Sequence, residues 1–198
     1  MSRPEHPPVE LDDPRAMRAL AHPARLRILE FLAGAGSATA TECSSVVGLS
    51  PSACSYHLRS LERRGFVERE ASSSDGRERP WRALAVRMSF NAGDSPPGRA
   101  ASRALESTLR TEWSRVLAEY SHHFDEFPAE WQLAGGADQA TLRVSASELA
   151  ELREKIQKLL RPYTSRTRSG QKVQVLVDYV PSFDPSRKTR PSASRPHP

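Results

Sequence analysis

The sequence predicts a mainly α fold with an α+β C-terminal part, and three observations carry that prediction. Four short helix patterns follow one another between Asp13 and Gly65, each with its own start and stop signals. Two strand-like runs joined by an Asp75-Gly76 turn come next. A long one-faced helical pattern over 100–127 then leads into shorter helix and strand signals that end near Val180.

The 198 residues leave room for one ordinary domain and a smaller second unit. The expected organisation is an arm over 1–10, a first domain over 11–90, a second unit over 99–180 and a disordered tail rich in Pro, Ser and Arg over 181–198. The count of 29 Lys and Arg against 24 Asp and Glu gives a net charge of +5, which favours a polyanionic partner without demonstrating one. No apolar run is long enough to cross a bilayer, and MSRPEHPPVELDD has neither the basic start nor the apolar middle of a signal peptide. A cytoplasmic protein with no membrane partner is expected. The two cysteines, Cys43 and Cys54, stand where apolar residues belong, so they read as small core side chains.

Asp13-Pro14 is a cap followed by a first helical residue and opens a helix to about Ala21. His22-Pro23 repeats the punctuation for a second helix, with Leu26, Ile28, Leu29, Leu32 and Ala33 on a broad apolar face and Gly34 and Gly36 closing it. Thr39-Ala40-Thr41-Glu42 fits a capping box, and a third helix runs from about Ala40 to Val47. After the turn Gly48-Leu49-Ser50 comes SPSACSYHLRSLERRG, with Ser50 as cap, Pro51 in the first turn and Gly65 at the end. At about 100° per residue, Cys54, Leu58 and Leu61 form a narrow apolar stripe, while Ser52, Tyr56, Arg59 and Arg63 fall opposite. Hydroxyls, a phenol and guanidinium groups meet base edges and phosphates in a major groove, although an ordinary surface helix would also turn arginines to water.

Two short helices joined by such a turn, the second polar on its outer side, form a helix-turn-helix. Phe66 to Ala71 and Trp81 to Met88 read as strands, and the connection SSSDGRERP carries Arg77 and Arg79, with Arg82 just beyond it. A hairpin with an arginine-laden tip, placed there, is a wing whose arginines would follow phosphates or enter a minor groove. The fold class is therefore a winged helix-turn-helix domain followed by a long helix and a small α+β unit.

ALAHPARLRILEFL from Ala19 to Leu32, the TATEC helix, LSPSACSYHLRSLERRGFVE and the DGRERPWR wing together resemble the winged helix-turn-helix regulators of the ArsR family, over roughly the first ninety residues. The resemblance implies a DNA-binding regulator in which Ser52, Ser55, Tyr56 and Arg59 face the groove and Arg77 and Arg79 lie on the wing. It also implies that His57 lies at the edge of the core. The metal-sensing members carry a cysteine cluster in the third helix; TATECSSVVG has a single Cys43, so no metal site is expected there.

Beyond an Asn91 to Gly98 linker, Leu105, Leu109, Trp113, Val116, Leu117, Tyr120 and Phe124 share one wide face of the long helix. In SHHFDEF, His122 with Asp125 or His123 with Glu126 has one-turn spacing, but the complementary ligands of an intersubunit metal site are missing. Glu130 to Leu133 and Thr141 to Val144 look like strands around Gly135-Gly136, and Ser145 caps a helix that Pro162 should stop. Lys172 to Val180 alternates as a last strand.

The expected function is that of a sequence-specific, homodimeric transcriptional regulator acting on double-stranded DNA, a repressor by preference. Ser50, Ser52, Ser55, Tyr56, Arg59, Arg63, Arg77, Arg79 and Arg82 are its expected DNA-binding residues. The 99–180 unit would make the dimer and house a small-molecule effector between aromatics such as Trp113 and Trp131, against the plainer alternative of a packed core. A fragment ending at Met88 is then expected to stay folded. No cofactor is expected. An enzyme with a winged appendage is disfavoured, since no Gly-rich nucleotide loop and no Ser-His-Asp or metal-hydrolase spacing appears. A winged helix that binds protein remains the other alternative.

Overall fold

The computed structural model describes residues 9–70, 79–84, 88–90, 95–164 and 171–181. Strand β1 (Val9–Leu11) precedes four short helices: α1 (Pro14–Leu20), α2 (Pro23–Ala35), α3 (Ala40–Val47) and α4 (Pro51–Glu62). Strands β2 (Val67–Arg69), β3 (Trp81–Ala83) and β4 (Met88–Phe90) follow, then the long helix α5 (Pro96–His122), a 3-10 turn at Phe124–Glu126, and helices α6 (Ala129–Ala134) and α7 (Ala146–Thr164). This is a mainly helical, winged helix-turn-helix architecture continued by a long helix.

Local chemistry sets the helix starts. Asp13 accepts a hydrogen bond from the Arg15 amide at 2.9 Å, and Ser50 accepts one from the Ala53 amide at 3.2 Å. The Thr39–Glu42 capping box is complete: Thr39 Oγ1 accepts from the Glu42 amide at 3.2 Å, and Glu42 Oε2 accepts from the Thr39 amide at 2.7 Å. Those bonds from Thr39 hold the Glu42 carboxyl below its ordinary pKa. Helix α3 ends on Gly48 at φ 69°, a left-handed conformation that glycine enters without Cβ strain, and this residue makes the tight turn into α4.

The core collects Met17 and Leu20 from α1, Ile28 and Leu32 from α2, Cys43 from α3, Leu58 and Leu61 from α4, and Phe66, Val67 and Trp81 from the hairpin. Strands β2 and β3 pair antiparallel, Val67 with Ala83 and Arg69 with Trp81, and Ala38 adds a bridge to Trp81. The first half of α5 completes this core: Ala101, Ser102 and Leu105 are all but inaccessible to solvent, and α5 packs along α1 and α2. The expectation that a fragment ending at Met88 folds by itself is revised on this ground.

A charge network fastens the same contact. Arg27 on α2 donates two hydrogen bonds to Glu112 on α5, from Nε at 2.8 Å and from Nη2 at 2.9 Å. Arg115 adds a bond to Glu112 at 3.1 Å. The bond from Arg27, ahead of that from Arg115, holds the buried Glu112 carboxyl below its ordinary pKa. Forked pairing is what lets a carboxylate occupy an otherwise apolar helix face.

Several expectations are corrected. Val9 and Glu10, placed in an arm by their sequence, pair in parallel with Met88 and Ser89. The helix α5 starts inside the expected linker, because Ser95 caps it by accepting from the Gly98 amide at 3.1 Å. Glu130 to Leu133 is helical, not extended: the Gln132 amide side chain donates to the Phe127 carbonyl at 2.8 Å, and α6 turns back toward Tyr120. Residues 141–144 and 172–180 have no ladder partner among the described residues. Pro162 does not stop α7, which continues to Thr164. A proline this close to a helix end removes little of the remaining hydrogen-bond ladder.

Candidate nucleic-acid interface

Helix α4 is two-sided, as its sequence dictates. Cys54, Leu58 and Leu61 are fully buried, and α4 packs on α2 and α3. Ser52, Tyr56, Arg59 and Arg63 point away from that core and are exposed, and Ser55 is half-buried. Tyr56 keeps 59% of its surface in solvent, which nothing in the packing of α4 requires. Ser50 acts first as the helix cap, and its hydroxyl lies 3.0 Å from that of Ser52.

The wing is divided. Arg79 is exposed. Arg82 is half-buried and forms an ion pair with Glu68, its cross-strand neighbour in the β2–β3 register. That pairing makes it a support of the hairpin before it is a contact for an anion. Arg77 lies outside the described residues, as does the rest of 71–78.

His57 sits beneath the outer face of α4. It is 9% exposed, its ring lies 4.6 Å from that of His22 and 5.5 Å from that of Tyr56, and its Nδ1 is buried without a hydrogen-bond partner. Burial, then the charges of His22 and Arg25, lowers its pKa below the usual 6.5. Below that pH the unfolded chain takes up a proton that the folded chain resists. The folded state should therefore lose stability as pH falls through about 6.5, and the loss should level off below the folded pKa. Thermal melts across this range should show the decline, and His57→Leu should flatten it; an unchanged slope would show that His57 is not its source.

Cys43 and Cys54 are both buried and neither is in a disulfide, and burial raises the pKa of Cys54, which makes it a poor thiolate. Among the described residues no three His, Cys, Asp or Glu side chains gather as a metal site. His123 pairs with Glu126 at 2.9 Å, and both are exposed. No described helix is long and apolar enough to cross a membrane.

Residues 20–70 match the family of helix-turn-helix domains. That span contains α2, α3, the Gly48 turn, α4 and β2, so the match rests on the elements that create the two-sided helix. The HTH-type transcriptional regulator YgaV of Escherichia coli is 38% identical over 52 residues, which are 26% of this chain and 52% of that protein. The chain thus spans about half the length of this curated relative. Among solved structures, a MarR family transcriptional regulator from Silicibacter pomeroyi is 20% identical, with 72% of each chain covered and a TM-score of 0.28. Wild-type MarR of Escherichia coli in its apo form is 17% identical, with 74% of this chain and 87% of that one covered and a TM-score of 0.31.

The signal for α4 is present in the sequence as two faces of one helix. Two other features of the region are not. Glu68 neutralises Arg82 only through strand register, and His22 meets His57 only through the packing of α2 on α4.

Proposed function

We propose that this protein is a sequence-specific DNA-binding transcriptional regulator of the ArsR type, a homodimeric cytoplasmic repressor that reads double-stranded DNA with α4. The observation that carries the reading is the pairing of a fully packed inner stripe on α4 with an outer row of Ser52, Tyr56, Arg59 and Arg63 that the core does not use. Ser55 and the cap Ser50 flank that row, and Arg77 and Arg79 serve the backbone from the wing. Arg82 acts mainly by holding the hairpin to Glu68. One helix reads only a few base pairs, so a second copy supplies the other half-site. The far end of α5 is the proposed place for that copy and for a small-molecule effector, because Leu117 in it and Phe124 just past it remain exposed. The chain performs no catalysis in this reading.

The test is a selection of bound fragments from genomic DNA, followed by affinity measurements on the selected duplex over a range of salt. Binding should weaken steeply with salt, as neutralised phosphates release counterions. Tyr56→Ala and Arg59→Ala should each lose about 1–3 kcal/mol of discrimination between the selected duplex and a scrambled one. Arg79→Ala should weaken both duplexes alike and reduce the salt slope by about one. Equal affinity for every fragment would defeat the reading and favour a winged helix that docks on protein.

A further inference from the structure

A cleft of about 610 Å³ lies where α1, α2 and the end of α4 meet, and it is lined by Arg15, Arg18, Arg25, Arg63, Arg64 and Ser60. Five arginines line one solvent-open space there. Among the described residues, only Arg64 of the five has a carboxylate near it, Asp13 at 3.8 Å, and no acidic residue lines the cleft. Arg25 is fixed in place: its Nη1 donates to the Ala19 carbonyl at 2.6 Å, while its Nε is buried with no hydrogen-bond partner. Like charges gathered without counterions repel one another, and a bound polyanion removes that cost while engaging the free donors. Guanidinium groups suit phosphate oxygens in particular, through their planar fork of N–H groups.

The cleft is also continuous with the outer face of α4. Arg63 stands one turn beyond Arg59 on that face and lines the cleft as well. We propose that this cleft is a binding site for paired phosphate groups, and that these are consecutive phosphates of the duplex held by α4. The assignment of the source rests on the DNA-binding reading; the phosphate chemistry of the cleft does not. A free nucleotide polyphosphate would present the same oxygens.

Two measurements on the full chain separate these sources. Titration with inorganic tripolyphosphate should saturate a single site, and Arg15→Ala/Arg18→Ala should weaken it about tenfold, the usual scale for removing a hydrogen bond to a charged group. Both side chains are exposed, and the inward residues Ala16, Met17 and Leu20 are untouched, so the variant should melt like the parent. Arg103→Ala/Arg110→Ala, which alters arginines on the outer face of α5, should leave tripolyphosphate affinity unchanged. On duplex DNA the Arg15→Ala/Arg18→Ala variant should lower the salt slope by about two, close to one for each phosphate no longer neutralised. Weakened tripolyphosphate binding with an unchanged duplex slope would overturn the DNA source and assign the cleft to a free polyphosphate. Should no duplex bind at all, a tripolyphosphate loss specific to this variant would still uphold the site while the DNA reading fails. Unchanged behaviour in both measurements, or an equal loss in the α5 variant, overturns the proposal.

Discussion

A fragment ending at Met88 should be largely unfolded, although it contains the entire helix-turn-helix and both strands of the β2–β3 hairpin. The cut removes Ala101, Ser102 and Leu105, which close one side of the core, and leaves Met17 and Leu20 on α1 facing water. Exposing a buried large apolar side chain costs about 1.5–3 kcal/mol, and several are exposed together against a net stability of about 5–15 kcal/mol for a whole domain. The cut also leaves Arg27 without Glu112 and strips Ser89 and Phe90 from the β1–β4 pair. A fragment ending at His122 keeps all of these interactions and should melt cooperatively. Circular dichroism melts of the two fragments decide the matter: a cooperative transition in the shorter one would show that α5 merely leans on a self-sufficient domain.

Helix α5 also links the core to a distant surface. It contains 27 residues, or about 40 Å of continuous helix. Its first half belongs to the core that orients α4, and its second half carries exposed Leu117 and Phe124 lies just past its end, likewise in solvent. A displacement of the far half, by a partner copy or an effector, would therefore be felt along a rigid rod that ends against α1 and α2. In the proposed dimer this is the physical connection between the two ends.

What is legible in the sequence is local. Caps at Asp13, Thr39 and Ser50, the tight turn at Gly48 and the two faces of α4 each depend on residues a few positions apart, and each forms as expected. What stays hidden is non-local. Glu112 looks like a polar interruption of α5 until Arg27, 85 residues earlier, pairs with it. Val9–Leu11 is too short to announce a strand and is made one by Met88–Phe90. Conversely, the alternation of Val173, Val175 and Val177 suggests a strand, yet all three are exposed and unpaired with any described strand. Period two indicates a strand only when a neighbour is there to accept it. The Glu130 to Leu133 segment is four residues long, a length at which helix and strand patterns coincide. The arginine cleft is hidden for the same reason as Glu112, since Arg15, Arg25 and Arg63 come from three separate parts of the helical layer, α1, α2 and the end of α4.

Trp81→Ala should be the most damaging single substitution in the chain. The indole is 2% exposed and is the largest of the fully buried side chains. Its backbone exchanges two hydrogen bonds with Ala38, at 2.7 and 2.9 Å, and it pairs with Arg69 in the hairpin register. The Arg69 guanidinium lies 4.3 Å from the centre of the ring, a cation–π contact. Truncating a buried tryptophan to alanine costs about 3–5 kcal/mol, which combines the transfer energy of the removed atoms with the cavity left behind. Trp81→Phe, which keeps a ring in the same place, should recover a large part of that loss. Because β3 sets the base of the wing and holds Arg82 against Glu68, the damage should extend to function. Even at a temperature where Trp81→Ala remains folded, its salt dependence on duplex DNA should resemble that of Arg79→Ala, since in the proposed interface a loosened hairpin would no longer hold Arg79 at the DNA backbone. Chemical denaturation curves give the first effect and salt titrations the second. A normal salt slope in a folded Trp81→Ala protein would show that the wing is positioned without the core beneath it.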